Sequence, residues 1–186
     1  MVAMRDTIAQ APQVGAHRPW PRVIVTADAW RDLCDELAAG NATLLGLWGD
    51  DGAVHMALLM ESADVAVVTL KCRDGAFPSV GARHAPAIRL ERAIHDLYGL
   101  QPVSALDLRP WLDLGFWDIQ HPLGDRTPAP APREPYPFLP VEGENLHQIP
   151  VGPVHAGIIE PGHFRFTANG EAVVRLEQRL GYVHKG

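Results

Sequence analysis

Hydrophobic residues recur at helical spacing in two segments of the first hundred residues. Thr26 precedes the first segment as an N-cap residue and Gly40 follows it as a terminator. The second segment spans residues 85–98, tolerates Pro86 in its first turn and ends before Gly99. The apolar stripes of these two predicted helices are formed by Trp30, Leu33, Cys34, Leu37 and Ala38, and by Ala87, Leu90, Ile94, Leu97 and Tyr98.

Short apolar runs elsewhere predict β-strands. They cover residues 22–25, 42–48, 53–60 and 65–72, and the Gly49-Asp50-Asp51-Gly52 segment predicts a hairpin turn between the second and third runs. Nearly continuous apolar residues in these runs indicate a sheet that helices cover. The predicted fold class is therefore α+β: a two-layer domain with a mainly antiparallel sheet and packed helices, followed by a Pro-rich tether and a β-hairpin.

The pattern divides the chain into four segments. Residues 1–20 show no periodicity and are predicted to be a flexible lead-in, and residues 21–121 form the α+β domain. Residues 122–145 are a Pro-rich linker that includes Pro128, Pro130 and Pro132. Residues 146–186 contain a hairpin around Asn169-Gly170. We expect the apolar residues of this hairpin to pack back on the domain or to pair between chains, namely Phe164, Phe166, Val173, Val174 and Leu176.

Composition excludes several classes of protein. The chain has 186 residues, 47% of them hydrophobic and 20% charged, which is typical of a packed globular domain. Sixteen Lys and Arg against 22 Asp and Glu give a net charge of -6, which argues against a nucleic-acid partner. Cys34 and Cys72 form no CxxC pair, and no apolar run approaches the roughly 20 residues that span a bilayer.

Two groups of residues are candidates for chemistry. Glu91 and His95 lie four residues apart on the second predicted helix, where they form either a metal or acid–base pair or, as the ordinary alternative, a solvated helix face. His155, Glu160 and His163 lie in a turn rich in proline and glycine. Apolar neighbours of Glu160 are expected to desolvate its carboxylate and raise its pKa, as a proton relay requires. This spacing is not a zinc signature.

Four short motifs within residues 22–125 resemble the signature of the 30 kDa subunit of respiratory complex I. Where that family usually has an acidic and a basic residue, this chain has Ala93 and Gly124, which indicates a relaxed member of the kind fused in energy-converting hydrogenases. The resemblance implies a subunit-docking role for Glu91, Arg92, Asp96 and His121. The motifs are Phe77-Pro78-Ser79-Val80, Leu90-Glu91-Arg92-Ala93-Ile94-His95-Asp96-Leu97-Tyr98-Gly99-Leu100, Asp107-Leu108-Arg109 and His121-Pro122-Leu123.

Residues 148–166 and 179–186 resemble the N-terminal part of the large subunit of group 4 nickel–iron hydrogenases, such as those of the formate hydrogenlyase and hydrogenase-4 type. The 49 kDa subunit of complex I is a relative of this large subunit. The resemblance implies that Glu160 relays protons in the full-length parent. It also implies that His155 and His163 lie in a loop that approaches the quinone or active site. The family's nickel-binding cysteines would lie beyond Gly186, so we expect no metal or cofactor in this fragment.

The two resemblances together imply the N-terminal part of a fused oxidoreductase subunit. Its assembly would be a membrane-associated energy-converting hydrogenase or NADH:quinone oxidoreductase. The fragment itself would not be catalytic; it would lie peripherally on the cytoplasmic face of the inner membrane beside iron–sulfur and membrane subunits. The nickel–iron centre or quinone, and the iron–sulfur clusters, would belong to the full complex. The alternative is a stand-alone assembly or adaptor protein.

Overall fold

The computed structural model of the chain describes residues 4–61, 63–115, 117–128 and 136–183. The chain divides into two compact units. Unit one comprises Met1–Pro110 with Asp118–Ala129, and unit two comprises Trp111–Trp117 with Pro130–Gly186. None of the described helices is long and apolar enough to cross a membrane.

Unit one contains three α-helices and eight short or medium strands among its described residues. In chain order these are α1 Met4–Gln10, β1 Arg22–Val25, α2 Ala27–Ala38, β2 Ala42–Asp50, β3 Ala53–Met60, β4 Val65–Lys71, β5 Ala76–Pro78, a 3-10 turn at Ala85–Ala87, α3 Ile88–Tyr98, β6 Gln101–Val103, β7 Ile119–Gln120 and β8 Thr127–Pro128.

The main sheet has the strand order β1-β4-β3-β2, in which β1 is parallel to β4 and the other pairs are antiparallel. This confirms the predicted α+β class with a mainly antiparallel sheet. One face of the sheet carries Val54, Met56 and Leu58, all fully buried, and packs with α2 and α3 in a single hydrophobic core. Burial of each such side chain stabilises the fold by roughly 1.5–3 kcal/mol.

Local signals in the sequence set the helix ends. The Ala29 N–H donates to Thr26 Oγ1 at 3.2 Å, so Thr26 caps α2 as its sequence position predicts. Gly99 ends α3 with a φ of 74°, a left-handed conformation that glycine adopts without strain.

Residues 1–20 were predicted to be a flexible lead-in, and the described part of this segment contains a helix that the sequence pattern did not indicate. Met4–Gln10 forms α1, and its Met4 and Ile8 side chains join the hydrophobic core. The Ile24 N–H donates to the Pro12 carbonyl at 2.9 Å, which ties the following segment to β1. Two apolar residues in one short helix give too weak a periodic signal to be recognised in the sequence.

Unit two contains a three-stranded antiparallel sheet in the order β11-β10-β9, formed by β9 Leu146–Val154, β10 Gly162–Asn169 and β11 Ala172–Arg179. The predicted hairpin around Asn169-Gly170 is present, and Gly170 has a φ of 58°. The sequence did not predict β9, because Pro150 and Pro153 interrupt its apolar pattern. Proline is tolerated there because β9 is an edge strand.

The predicted linker 122–145 is only partly a linker. Thr127–Pro128 pairs with Ile119–Gln120 inside unit one. Residues 136–140, which we call the strap, lie on unit two: the Leu139 N–H donates to Glu177 Oε1 at 3.0 Å, and Arg175 Nη2 donates to the Leu139 carbonyl at 3.1 Å. Pro130 and Pro132 lie outside the described residues.

Candidate functional site

Glu91 lies on α3 with its carboxylate buried, not on a solvated helix face. The Ser79 hydroxyl donates to Oε2 at 2.8 Å, and the N–H groups of Val80 and Gly81 donate to Oε1, the latter at 3.1 Å. Burial raises the pKa of Glu91, while these three donors oppose the rise. Because all three donors belong to residues 79–81, Glu91 holds this loop against α3.

Gly81 is required by this contact. A Cβ at position 81 would lie 2.8 Å from Glu91 Oε2 and 2.9 Å from Ile88 Cγ1, both closer than real Cβ contacts. Any other residue would push the loop away from the carboxylate, so the loop and the helix depend on each other.

Arg92, the next residue on α3, holds a second loop. Its Nε donates to the Arg109 carbonyl at 2.6 Å and its Nη2 donates to the Pro110 carbonyl at 2.8 Å. Its Nη1 also pairs with Asp107 at 3.2 Å. Burial tends to raise the pKa of Asp107, but hydrogen bonds from Arg109 and the nearby Arg92 charge hold it below its usual value. Arg92 therefore fixes residues 107–110.

The C-terminal end of α3 contacts His121. The rings of His95 and His121 lie 5.5 Å apart, and His121 Nδ1 lies 3.4 Å from the Asp96 carbonyl. Burial lowers the pKa of His95. Asp96 is buried, and His95 contacts Gln101 through Nδ1 at 3.2 Å. Glu91 therefore faces the 79–81 loop whereas His95 faces this second cluster, so they do not form the pair that their spacing suggested.

Close packing around position 124 is consistent with glycine there, where the family signature usually has a basic residue. The Leu123 N–H donates to the Leu97 carbonyl at 2.9 Å, which draws the following backbone against the end of α3. A Cβ at Gly124 would overlap the Tyr98 carbonyl. A basic side chain does not fit this position in the present backbone.

A groove of about 570 Å³ lies between α2, β5 and the end of β6. Phe77 and Pro78 contribute to its lining, as do Ser79 of the Glu91-held loop and Val103. The indole N–H of Trp30 donates to the Pro78 carbonyl at 3.0 Å and so joins β5 to α2. Large apolar side chains are exposed at Val103 on β6 and at Leu106 and Leu108 in the segment that follows it. We call the groove and these three residues the apolar surface.

The sequence pattern did not indicate that His55 is a buried polar residue. His55 on β3 is 2% exposed, and its Nε2 lies 2.8 Å from Asp50 Oδ2 while its Nδ1 lies 3.0 Å from Thr69 Oγ1. Arg22 Nε donates to the same Thr69 oxygen at 2.8 Å. Because Asp50 only accepts, Nε2 is assigned the proton and Nδ1 accepts from Thr69. Burial lowers the pKa of His55 despite the Asp50 hydrogen bond.

The loop between β9 and β10 contains two of the three residues predicted near an active site. His155 caps it: its Nδ1 accepts from the Gly157 N–H at 2.9 Å and its carbonyl accepts from the Ile159 N–H at 3.0 Å. Glu160 is exposed and its neighbour Ile158 is 93% exposed. The apolar neighbours therefore do not shield the Glu160 carboxylate, and the desolvation on which its predicted role depended is absent.

His163 lies in different surroundings from His155. It is on β10, and its ring lies 5.3 Å from that of Phe138 in the strap. Arg165, two residues further along β10, places its guanidinium 4.0 Å from the same Phe138 ring. The strap therefore covers the side of β10 that carries His163.

The described residues do not fit a nickel–iron centre or another metal site. Among them no cluster of three or more His, Cys, Asp or Glu side chains could hold a metal ion. The thiols of Cys34 and Cys72 are buried in unit one, and burial raises their pKa to about 12 and about 11. Such thiols are inert as ligands and nucleophiles. Cys34 is thus a small buried apolar residue on α2, as its position in the stripe predicts.

Comparison with known proteins identifies the family. Residues 23–133, more than half of the chain, match the family described as respiratory-chain NADH dehydrogenase, 30 Kd subunit. The chain belongs to this family. The matched segment begins in β1 and includes both loops that Glu91 and Arg92 hold, so the contacts of these two residues lie inside it.

Two curated relatives come from Escherichia coli (strain K12). The chain is similar to hydrogenase-4 component G, with 40% identity over 146 residues, and to formate hydrogenlyase subunit 5, with 35% identity over 147 residues. Each match covers 72% of this chain but 26% of the relative, so the chain spans about a quarter of the length of these relatives. The recognition made from the sequence motifs is confirmed at the level of family and relatives.

A shorter match and a solved structure add to the comparison. The chain is similar to a carbon monoxide-induced hydrogenase of Rhodospirillum rubrum, with 45% identity over 42 residues, 23% of this chain and 12% of the relative. It is also similar to the trypsin-resistant fragment (1-134) of Nqo5, with 19% identity and a TM-score of 0.48, covering 56% of this chain and 96% of that one.

Three of the motifs that carried the resemblance meet at α3. The segments 77–80, 90–100 and 107–109 are distant in sequence, yet Glu91 and Arg92 bring them together in unit one. The predicted docking residues on α3 are buried, so they act on a partner only through the loops that they position. A docking role for them stays a prediction.

Proposed function

We propose that this chain is part of a peripheral subunit of a membrane-associated energy-converting hydrogenase or NADH:quinone oxidoreductase-type assembly, and that unit one docks on the adjoining subunits. The relatives support this proposal, since they are hydrogenase-4 and formate hydrogenlyase components. The proposed location is the cytoplasmic face of the inner membrane, and the proposed neighbours are the large, iron–sulfur and membrane subunits.

The apolar surface is the observation that carries the docking role. Val103, Leu106 and Leu108 expose three large apolar side chains within six positions of the chain, and Val103 also lines the groove. Contiguous exposed apolar residues on a folded domain mark interaction sites. Glu91 holds the 79–81 loop, whose Ser79 lines the groove, and Arg92 holds residues 107–110, which include Leu108. A preorganised surface loses less conformational entropy on binding.

Charge substitutions on exposed residues test this role without touching the core. We expect Leu106→Asp to abolish co-isolation of the other subunits when the tagged chain is purified from its source membrane. The matched control is Leu45→Asp, because Leu45 is also half exposed or more but lies on β2, outside the apolar surface. Equal co-isolation of both variants, each with an unchanged circular dichroism spectrum, would contradict docking through the apolar surface.

We further propose that unit two is the opening of a large subunit, in which Glu160 relays protons and His155 and His163 lie near the active site or quinone. The exposed position of Glu160 requires that further chain covers it in the parent. Any nickel–iron centre, quinone or iron–sulfur cluster would then be held by residues outside those described. Glu160→Gln in the assembled complex should lower turnover while leaving co-isolation of subunits unchanged.

The intact mass and metal content of the native protein separate this proposal from the adaptor alternative. A mass well above 20.3 kDa with about one nickel per chain would support the hydrogenase form. A larger mass without nickel would support the quinone enzyme. A native mass of 20.3 kDa would contradict the fused subunit and favour a stand-alone adaptor.

A further inference from the structure

A cavity of about 490 Å³ lies in unit two, between the sheet and the segment that contains the strap. Two polar side chains of the sheet line it, Thr167 from β10 and Arg175 from β11. Apolar walls with a few polar groups are typical of sites for small organic ligands. The apolar residues of the lining include Leu139, Val141, Leu146 and Val174.

Thr167 brings a buried hydroxyl to this cavity. The residue is 3% exposed, and its Oγ1 has no hydrogen-bond partner among the described residues. A buried hydroxyl without a partner is unfavourable, so an acceptor or donor inside the cavity would stabilise it. Arg165 Nε and His163 Nε2, on the same strand, are also buried and without a hydrogen-bond partner in the described part of the chain.

The charge on this face of the sheet favours an anion. The strand register places Arg175, Glu177 and Arg179 of β11 opposite Thr167, Arg165 and His163 of β10, so all six side chains lie on one face. Three guanidinium groups thus share the face with one carboxylate. The whole chain carries a net charge of -6, so this face of β10 and β11 is locally positive in an acidic protein.

Arg175 is held at the wall of the cavity by its own chain. Its Nη2 donates to the carbonyls of Leu139 at 3.1 Å and Pro140 at 3.0 Å, and its Nε lies 3.5 Å from Glu177 Oε2. A ligand need not displace these contacts, because the guanidinium charge attracts an anion in the cavity at a distance. Glu142, an exposed carboxylate that also lines the cavity, repels a doubly charged anion more strongly than a singly charged one.

We propose that this cavity binds a small organic carboxylate. One carboxylate oxygen accepts from the Thr167 hydroxyl, the Arg175 charge lies beside it, and the aliphatic body of the ligand contacts the apolar walls. The ordinary alternative is a bound water, which would satisfy the hydroxyl without selecting any ligand. The proposal concerns unit two and is independent of the docking role of unit one and of the proton relay at Glu160.

Titration of the full chain with sodium butyrate, followed by nitrogen–proton correlation NMR, tests the proposal. We expect a saturable shift of the Thr167 amide signal with a dissociation constant of about 10 mM or below, as suits so small a ligand. At equal ionic strength, butanol lacks the charge and phosphate lacks the apolar body, so each should bind roughly tenfold or more weakly. No saturable shift with butyrate, or equal binding of butanol or phosphate, would overturn the proposal.

Substitution of Thr167 tests the role of its hydroxyl. Thr167→Val keeps the β-branched shape and removes a buried polar atom that lacks a partner, so the fold should persist, as circular dichroism would show. We expect butyrate binding to weaken by roughly tenfold or more, because a hydrogen bond to a charged group is lost. Thr167→Ser keeps the hydroxyl and should bind within about threefold of the original chain.

The matched control is Thr43→Val, because Thr43 is an exposed threonine on β2 of unit one. This substitution should leave the affinity for butyrate unchanged. Binding by Thr167→Val as tight as in the original chain would show that water alone satisfies the hydroxyl, and the proposal would be wrong. An equal loss in Thr167→Ser and Thr167→Val would indicate an effect of packing and would also contradict it.

Discussion

In the four-stranded sheet of unit one, the face that carries Val54, Met56 and Leu58 packs against helices. In the three-stranded sheet of unit two, the strap covers the face that carries charged residues, and Glu177 is buried there. The opposite face of unit two leaves Ile149 half exposed. The main sheet of unit one therefore buries this apolar face within the unit, whereas the sheet of unit two keeps apolar side chains exposed on one face.

The largest effect is expected when one apolar residue is truncated in each sheet. Leu58→Ala should lower the free energy of unfolding of unit one by about 3–5 kcal/mol, because it leaves a cavity in the core. Ile149→Ala removes as many carbon atoms from the exposed face of unit two and should change stability by less than about 0.5 kcal/mol. Hydrogen exchange followed by mass spectrometry measures each unit separately. Similar losses in both units would contradict the comparison.

Removal of the Glu91 carboxylate tests whether unit one depends on a buried polar contact. Glu91→Ala leaves the Ser79 hydroxyl and the N–H groups of Val80 and Gly81 without their acceptor. We expect a loss of about 2–4 kcal/mol in chemical denaturation.

The control for this substitution is Asp32→Ala, because Asp32 is an exposed carboxylate on α2. It should change stability by less than about 0.5 kcal/mol. Glu91→Gln keeps one acceptor oxygen, so its loss of stability should lie between those of Asp32→Ala and Glu91→Ala. If Glu91→Ala were as mild as Asp32→Ala, the carboxylate would not hold the 79–81 loop.

The pH dependence of unit one should reflect His55. Burial lowers the pKa of His55 below its ordinary value of 6.5 in the folded state. Between the two pKa values the unfolded chain binds a proton that the folded chain does not, so stability should fall as pH falls below about 6.5 and stay constant above it. His95 contributes in the same direction, whereas the raised pKa of Glu91 contributes in the opposite direction above pH 4.5.

Denaturation at about pH 7.5 and pH 5.5 measures this dependence. His55→Gln should reduce the loss of stability between these values, and the remaining loss should come from His95 and other groups. Asp50, Arg22 and His17 are the charged or titratable groups that act on His55. An unchanged slope in the variant would show that protonation of His55 is not coupled to unfolding.

The smallest predicted effect concerns the strap of unit two. Phe138→Ala removes the ring that contacts Arg165 and His163, and should destabilise the strap by about 1 kcal/mol. Faster hydrogen exchange at residues 136–140, with no change in unit one, is the expected result. Phe138→Leu keeps the bulk without the aromatic face, so exchange as slow as in the original would show that apolar contact suffices.

Local sequence patterns predicted the elements that local chemistry determines. Thr26, Gly99 and the Asn169-Gly170 turn each act within a few residues, and α2, α3 and the β10–β11 hairpin lie where these signals place them. The α1 helix and β9 were not predicted, because their local sequence signals are weak. A seven-residue helix has too few positions for a clear stripe, and two prolines conceal an edge strand.

The candidate site was only partly predictable. The motif resemblance identified Glu91 and Arg92, but their spacing with His95 suggested an exposed pair on one helix face. Their actual partners are residues 79–81 and 107–110, which no helical periodicity relates to α3. The Asp50–His55–Thr69 contact was missed because its members lie on three different strands.

The sequence by itself determined the α+β class, the main helices and hairpins, and the family, because each depends on short-range spacing or on contiguous motifs. Tertiary structure decided which polar side chains are buried and which apolar ones remain exposed. Burial of a carboxylate such as Glu91 is stable only where donors from distant residues replace water. The sequence therefore specifies the charged residue, and the packing of the 79–81 loop on α3 determines what Glu91 does.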